Sequence, residues 1–409
     1  MHKKRNIIRY DFLLLFALAV VVMVLFILIG LKIFSPKESE KTTEKIDKSS
    51  QQVKNSEIKN SEEVSFFAVG DNLIHGMVYY GAAKHSTDGT YDFSPFYSQT
   101  KSEIEAADIA FINQETPFAG EAINGLSSYP SFNGPTQILE GLHSAGFDWI
   151  NLASNHSFDR GEEGILAEIA HVKELGMIQT GLNSSFEDRA DIQVLNKNGI
   201  NISFESFTYD LNGYQMPAGK DYLVNLIDKE LIKEQVEAMK KVSDIQVVNM
   251  HWGTEYATTV NDDQRELAQY LADLGVDVIV GEHPHVIEPV EWIESSSGQS
   301  VLVIYSLGNF LSAQDDNINM LGLAVKWSLK LENGAVSVEN VQVLPTVTII
   351  NGFWNTTQND FNVKFLKDYT DEDAANHTLT SLGIDMSRQY FIDQVTGILG
   401  SPENIEILK

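Results

Sequence analysis

Five short polar segments of this chain each follow directly on an apolar run that is typical of a buried strand. They supply carboxylates, asparagines and imidazoles, which suit Zn, Mn and Fe ions as ligands. Ligands of an open α/β sheet bind beyond the carboxyl ends of the strands, so the five segments could converge on one crevice. They are Gly70-Asp71, Asn113-Gln114-Glu115, Ser154-Asn155-His156-Ser157-Phe158-Asp159, His251-Trp252-Gly253-Thr254-Glu255 and Gly281-Glu282-His283-Pro284-His285.

Taken one at a time, these segments have ordinary structural explanations. Asp71 after a glycine is common in turns, Glu115 suits the first turn of a helix, and Asn155 suits a helix or loop cap. His251 is explained equally well as a hydrogen-bonded histidine of the core. A metal site is therefore predicted from the whole set and from its placement after strands.

The strongest single pattern is His283-Pro284-His285. Proline restricts its own φ and favours extended backbone in the residue before it, so the two imidazoles should point in fixed directions. With a bridging carboxylate, such ligands can hold two ions about 3.5–4 Å apart, which activates water and stabilises both oxygens of a displacement. A histidine outside the ligand set would protonate the leaving group.

The elements that must position these residues alternate along the chain. Strands that alternate with helices imply crossover connections and a largely buried sheet. Later strand patterns at 322–332 and 336–349, without helices between them, predict antiparallel members, and a helix is expected near 385–398. The other predicted strands are 64–70, 108–114, 149–154, 176–181, 201–208, 245–251, 276–281 and 301–306, and the other predicted helices are 136–145, 162–175, 228–241 and 262–274.

The N-terminal part of the chain predicts a membrane anchor. Phe12 to Leu31 form an uncharged run of 20 residues, which as a helix spans about 30 Å. Basic residues precede the run, which predicts a cytoplasmic segment at 1–11, an anchor at 12–34 and an extracellular remainder. The alternative, a cleaved signal peptide, would have a shorter apolar region and a small-residue cleavage site. Residues 35–63 have the composition of a disordered, solvated linker.

Composition excludes several classes of function. Residues 64–409 carry 18 basic and 49 acidic side chains, a formal charge of −31. A domain so acidic will not bind nucleic acid or anionic lipid through a general field. The chain of 409 residues has no cysteine, so disulfides, thiolate metal sites and cysteine nucleophiles are excluded.

The ordered motifs resemble those of the bacterial capsule synthesis protein CapA/PgsA family, a branch of the calcineurin-like metallophosphoesterases. They read Gly-Asp, Asn-x-Glu-Thr-Pro, Asn-His-x-x-Asp-x-Gly, His-Trp-Gly-x-Glu and Gly-x-His-Pro-His, and the segment from Tyr305 to Phe310 also matches. The resemblance implies an α/β calcineurin-like sandwich of mixed β-sheets flanked by helices, behind a transmembrane helix. We assign residues 64–349 to this domain and 350–409 to a C-terminal extension packed on or beside it.

The resemblance also implies roles for single residues. His156 would be the unligated acid, and Asp159 would either orient it or form a turn. Glu255 would be an outer-shell group or a surface carboxylate. The implied ligands are Asp71 and His285 for the first ion, Glu115 as the bridge, and Asn155, His251 and His283 for the second ion, with Mn, Zn or Fe as the metal.

Two departures from the superfamily pattern concern the first ion. The usual Asp-x-His is replaced by Asp71-Asn72-Leu73, and His75, two positions further on, is not expected to substitute because its geometry is unsuited. The bridging residue is Glu115, where aspartate is more usual. A centre that binds a single ion therefore remains an alternative to a centre that binds two.

The function implied is a membrane-anchored component of poly-γ-glutamate, or related capsule polymer, biosynthesis or export. Its ectodomain would be metal-dependent and hydrolase-like, and if it is catalytic it would hydrolyse a phosphoester or an amide. Its partners would be the membrane, membrane-embedded synthase or export subunits and an anionic polymer, although a domain at −31 should repel polyglutamate. A second interpretation is a scaffold that keeps the metal as structure. A third, an extracellular nucleotidase, needs an aromatic pocket that Trp252, Tyr256 and Tyr209 could line.

Overall fold

The computed structural model describes residues 62–354 and 357–409. The predicted cytoplasmic segment at 1–11, the anchor at 12–34 and residues 35–61 of the predicted linker lie outside the described residues. Within the described ranges, every helix is too short or too polar to cross a membrane.

The described residues form fifteen strands. In chain order these are β1 (Glu62–Asn72), β2 (Ile109–Asn113), β3 (Trp149–Asn151), β4 (Ile178–Thr180), β5 (Gln193–Lys197), β6 (Ile200–Thr208), β7 (Ile245–His251), β8 (Val278–Glu282), β9 (Val290–Glu294), β10 (Ser300–Ile304), β11 (Asn309–Leu311), β12 (Leu321–Glu332), β13 (Ala335–Asn351), β14 (Asp360–Phe365) and β15 (Glu406–Ile407).

The same ranges contain nine α-helices. They are α1 (Gly76–His85), α2 (Lys101–Glu105), α3 (Gln137–Ala145), α4 (Gly161–Leu175), α5 (Phe186–Ala190), α6 (Lys229–Val242), α7 (Asp262–Leu274), α8 (Asp371–Asn376) and α9 (Arg388–Leu399). Helix α7 shows the predicted local chemistry: Asn261 and Gln264 form a capping box, and Gly275 ends the helix in a left-handed conformation.

The strands form two mixed sheets. The first runs β14-β13-β12-β1-β2-β3-β4, with β11 also paired to β1 and β15 to β13. Its β1-β2-β3-β4 half is parallel, whereas β12, β13 and β14 are antiparallel. The second runs β5-β6-β7-β8-β10-β9, with β6, β7, β8 and β10 parallel. The predicted antiparallel members at 322–332 and 336–349 are thus confirmed.

The two sheets pack face to face. Phe204 of β6 lies 4.3 Å, between ring centroids, from Trp149 of β3 and 6.5 Å from Phe66 of β1. Along β7 and β8 alternate residues serve two cores: Val247 faces the first sheet, and Val248 faces α6 and α7. Burial of both faces explains why these strands read as continuous apolar runs.

The structure differs from the predicted elements mainly at the edges. Helix α1, the short helices α2, α5 and α8, strand β11 and the edge strands β5 and β9 were missed. Helix α1 is glycine-containing and has no side-chain N-cap, and β5 and β9 lie at the edges of the second sheet, where exposure weakens the apolar pattern. Strand β3 is also shorter than predicted, since it ends at Asn151. Strand β13 runs to Asn351, so the boundary drawn before residue 350 lies inside it, and β14 and β15 add to the first sheet.

One segment ties the two sheets together below the polar strand ends. The amide of Asp71 donates to the carbonyl of Gly308 at 2.8 Å, and the amide of Leu307 donates to the carbonyl of Gly281 at 3.2 Å. A Cβ at Gly70 would lie 1.8 Å from the Gly308 oxygen, and one at Gly281 would lie 1.9 Å from the Tyr305 oxygen. Glycine is therefore required at the first position of two of the polar segments, at residues 70 and 281.

Gly70→Ala should destabilise the protein by about 1–3 kcal/mol, because the added methyl group must displace the backbone of residue 308. Thermal unfolding measures this as a lowered Tm. The matched control is Gly397→Ala in α9, where nothing lies within 4 Å of an added Cβ, so the helix should gain about 0.5–1 kcal/mol. Equal stability of Gly70→Ala and the wild type would contradict the close approach.

Candidate metal centre

Asp71 is the last residue but one of β1, is buried inside the protein and is oriented by a chain of amides. Asn113 Nδ2 donates to Asp71 Oδ1 at 2.6 Å, and Asn151 Nδ2 donates to Asn113 Oδ1 at 2.6 Å. The three residues lie at the carboxyl ends of the neighbouring parallel strands β1, β2 and β3. The amide chain leaves the other carboxylate oxygen, Oδ2, to contact His285 Nδ1 at 2.9 Å.

The turn after β8 presents His283 and His285 to the same space. Both residues have left-handed backbone, with φ of 101° and 58°. The extended geometry expected for His283 before proline is therefore wrong: the turn overrides the preference of the residue before proline, so that both imidazoles point inward. The side chain of Asn319 supports the turn by donating to the His285 carbonyl at 3.0 Å.

Glu115 occupies the middle of the cluster. Its Oε1 lies 3.7 Å from His285 Nε2 and 3.9 Å from His251 Nε2, which are distances that leave room for an ion rather than hydrogen bonds. His251 Nε2 also contacts Asn155 Oδ1 at 3.0 Å. Strands from both sheets thus deliver their last residues to one place.

Three groups of side chains place their ligand atoms within 4.8 Å of one another. One consists of Asp71, Glu115 and His285, and another of Glu115, His251 and His283; all five residues are buried. The third consists of Glu255, His283 and His285, of which Glu255 is exposed. The six predicted ligands therefore come together, with Asn155 attached through His251, and their roles as ligands stay predictions.

The buried atoms of the cluster fit a divalent cation. Both carboxylate oxygens of Glu115 and the Nδ1 atoms of His251 and His283 are buried without a hydrogen-bond partner. Unpaired buried polar atoms are costly and rare in folded proteins. A cation bound by carboxylate oxygens and imidazole nitrogens would satisfy the cluster, and this donor set suits Zn, Mn or Fe.

Burial and neighbouring charges keep two imidazoles of the cluster neutral and favour a proton on the third. Burial, followed by the neighbouring imidazoles, holds the pKa of His251 well below its usual range, and burial with His285 lowers the pKa of His283 to about 3. Burial raises the pKa of Glu115, and nearby carboxylates add to the effect. Burial opposes protonation of His285, but Glu115 and Asp71 outweigh it and raise its pKa to about 9. Two neutral imidazoles are thus ready to bind metal.

His156 lies at the edge of the cluster beside Asn155. Its Nδ1 is 2.8 Å from Asp159 Oδ2, which also accepts from the Phe132 amide at 2.7 Å. The Phe132 ring packs edge-on against the imidazole, with centroids 4.7 Å apart. Because Nδ1 is engaged, Nε2 is the atom left to exchange a proton with a bound molecule.

Asn212 is a contact that the sequence did not indicate. Its Oδ1 accepts from Asn155 Nδ2 at 3.2 Å, and its Nδ2 lies 3.3 Å from His156 Nδ1. It comes from the loop after β6, which carries no motif, and only its left-handed backbone, φ 50°, marks it. The amides of Asn113 and Asn151 were likewise missed as orienting groups, although both residues lie in predicted strands.

His75 stays outside the three ligand groups found among the described residues. Its Nδ1 is 3.1 Å from the Leu73 carbonyl, and its ring packs edge-on against Phe132. Burial lowers its pKa to about 4. That His75 is not a ligand stays a prediction.

The three aromatic residues considered for a base-stacking pocket have different surroundings. Trp252 is buried, and its Nε1 donates to the Tyr305 carbonyl at 2.9 Å, so it belongs to the core. Tyr209 packs on His283 with centroids 4.6 Å apart, and Tyr256 lies 6.1 Å from His285. Both tyrosines are partly exposed and flank the imidazoles.

Comparison with known protein families shows the family to which the chain belongs. The family model described as the bacterial capsule synthesis protein PGA_cap matches residues 65–314. This chain belongs to that family. The resemblance read from the five motifs is confirmed, because the match spans all of them and reaches past the segment at 305–310.

Two curated relatives carry related descriptions. The PGA biosynthesis protein CapA of Bacillus subtilis (strain 168) is 34% identical over 195 residues, which cover 47% of this chain and 50% of that protein. The capsule biosynthesis protein CapA of Bacillus anthracis is 29% identical over 210 residues, covering 50% and 49%. The chain therefore spans about half the length of the curated relatives that it matches.

Solved structures of similar architecture are more distant. The NAD nucleotidase NadN of Haemophilus influenzae has a TM-score of 0.42 at 12% identity and covers 85% of this chain and 57% of its own. The calcineurin-like phosphoesterase YfkN of Bacillus subtilis has a TM-score of 0.41 at 14% identity and covers 81% and 98%. TM-scores of this size are too low to support a conclusion about this chain.

Glu115→Gln should abolish the stabilisation that Mn²⁺ or Zn²⁺ gives the protein, because the central charge of the cluster is lost. Saturation at about 100 times Kd should stabilise the wild type by about 2.7 kcal/mol. Without metal, the variant should be at least as stable as the wild type, since neither oxygen of Glu115 has a partner.

Thermal unfolding with and without metal measures both effects. The matched control is Glu205→Gln, which alters a buried carboxylate outside the three groups that accepts from the Ser206 amide and from Asn225. This control should keep the metal-induced rise in Tm. An equal rise in Glu115→Gln would show that Glu115 is not a ligand.

Proposed function

We propose that this protein takes part in the biosynthesis or export of poly-γ-glutamate, or of a related capsule polymer, and that its domain is a metal-dependent hydrolase. The observation that carries the hydrolase part is a buried ligand cluster with an oriented, unligated histidine at its edge. Membership of the PGA_cap family and the descriptions of the two CapA relatives support the capsule polymer part.

The residues have separable tasks in this proposal. Asp71, Glu115 and His285 would hold one divalent ion, and Glu115, Asn155, His251 and His283 would hold the other. When bound, such ions act as Lewis acids and activate water. The paired mixed sheets flanked by helices, with ligands at strand ends, support a calcineurin-like metallophosphoesterase sandwich as the fold.

His156 is the general acid of the proposal. Asp159 accepts from Nδ1 and fixes the ring, so Nε2 is free to protonate the leaving oxygen or nitrogen of a phosphoester or an amide. The Phe132 amide and ring hold the pair in place. Asp159 in this arrangement is a positioning residue, because it acts through the imidazole.

The proposal includes a location. We place the protein in the cell membrane, anchored by residues 12–34, with residues 1–11 in the cytoplasm and the domain outside the cell. Membrane-embedded synthase or export subunits would be its partners. The net charge of −31 in residues 64–409 opposes tight binding of an anionic polymer, so any contact with polyglutamate would be at the cationic centre.

His156→Ala should lower turnover by about 10²–10⁴-fold, the usual contribution of general acid–base catalysis, and should leave metal content unchanged. The measurement uses the full-length chain in detergent with Mn²⁺ or Zn²⁺, assayed against phosphodiesters and γ-glutamyl amides. Asp159→Asn should show a smaller loss.

Two results would contradict the proposed enzymatic activity. Turnover that is equal in wild type and His156→Ala would remove the role of His156. If no metal supports turnover while polymer production in cells still depends on the chain, a scaffold that keeps the metal as structure becomes the better account. Metal content alone cannot separate the two, since either protein would bind ions.

A further inference from the structure

Glu255 stands out among the exposed acidic residues of the described chain. One of its carboxylate oxygens lies within 4.8 Å of ring nitrogens of both His283 and His285. Those two imidazoles also belong to the two buried ligand groups. Glu255 therefore lies on the solvent side of the cluster, within reach of an ion that shares these imidazoles.

The loop that carries Glu255 is fastened to the histidine turn. The Tyr256 amide donates to the Pro284 carbonyl at 2.8 Å. At Gly253, φ is +93°, and an added Cβ would lie 2.9 Å from Gln264 Nε2 and 3.1 Å from Pro284 Cγ. Contacts on both sides of Glu255 thus hold its backbone against Pro284.

Backbone strain concentrates in the same two loops. Nine residues other than glycine have positive φ in the described chain, and six of them are asparagines, which adopt this conformation readily. The remaining three are Tyr256, His283 and His285. Such strain costs about 1–3 kcal/mol per residue and persists where a functional arrangement requires it. Here it directs one carboxylate and two imidazoles to one point.

The negative charge of Glu255 is more favourable with a cation bound beside it than in the protein without a cation. Its field, with those of Glu115 and Asp71, acts on His285, and it repels the Glu115 carboxylate. A third carboxylate beside two others is unfavourable until a positive charge lies among them.

We propose that Glu255 is a metal ligand, binding together with His285 and His283 at the solvent-facing side of the centre. The proposal rests on the metal-dependent function above and adds a protein ligand on the solvent side of the two buried groups, which share His283 and His285 with it. Because Glu255 is exposed, the ion that it binds is the one that exchanges with solvent, and it faces the entry for a substrate.

The test is Mn²⁺ binding by the full-length chain after metal removal, with free Mn²⁺ followed by electron paramagnetic resonance and bound metal by elemental analysis. Glu255→Gln should raise the Kd of the weaker ion, or of the sole ion, by at least about tenfold, as expected when a metal ligand is weakened. The tighter ion, where two bind, should be retained. The metal-free Tm should stay the same or rise, because the variant removes an exposed negative charge that repels the Glu115 carboxylate.

The matched control is Asp315→Asn, which removes one exposed negative charge near Tyr256 from a residue outside all three ligand groups. Equal Mn²⁺ affinities in the two variants would overturn the role of Glu255 and leave the buried centre intact. A wild type that binds no Mn²⁺ or Zn²⁺ would overturn the metal centre itself. Loss of turnover without loss of metal would bear only on the proposed reaction.

Discussion

The carboxylate of Glu115 is the interaction on which the site depends. It lies fully inside the protein, between His251 and His285, and neither oxygen has a hydrogen-bond partner. A buried carboxylate is tolerated when it is paired with positive charge or binds a metal. His285 supplies part of this charge, while His251 and His283 stay neutral because burial disfavours their protonation. A divalent cation would meet the remaining requirement.

The architecture serves this requirement by joining two sheets at their strand ends. Asp71 and Glu115 come from the first sheet, and His251 and His283 from the second. The segment from Tyr305 to Gly308 lies between the strands that carry them, and the glycines at 70 and 281 allow its close approach. An ion bound here would link the sheets, so occupancy and domain stability should be coupled.

The residues of the cluster could be predicted from the sequence better than the residues that orient them. Asp71, Glu115, His251 and His283 follow apolar runs, and parallel strands end at the same edge, so their convergence could be inferred. Asn113 and Asn151 look like ordinary strand ends, and only the register of β1, β2 and β3 reveals the amide chain. The left-handed backbone of His283 opposes the local preference before proline, so tertiary contacts decide it. Strands β5 and β9 lack a strong apolar pattern because they lie at the edges of the second sheet and are partly exposed.

The strained turn also explains how one short segment contributes to more than one ligand group. Extended backbone at 283–285 would place alternate side chains on one face at a fixed spacing, whereas two left-handed residues turn the chain sharply around Pro284. His283 then reaches His251 and Glu115, while His285 reaches Asp71 and Glu115. Because the loop from His251 to Tyr256 is bonded to Pro284, it follows the same turn. The geometry of the whole centre therefore depends on the backbone of three residues, and a change at position 284 should disturb both sides together.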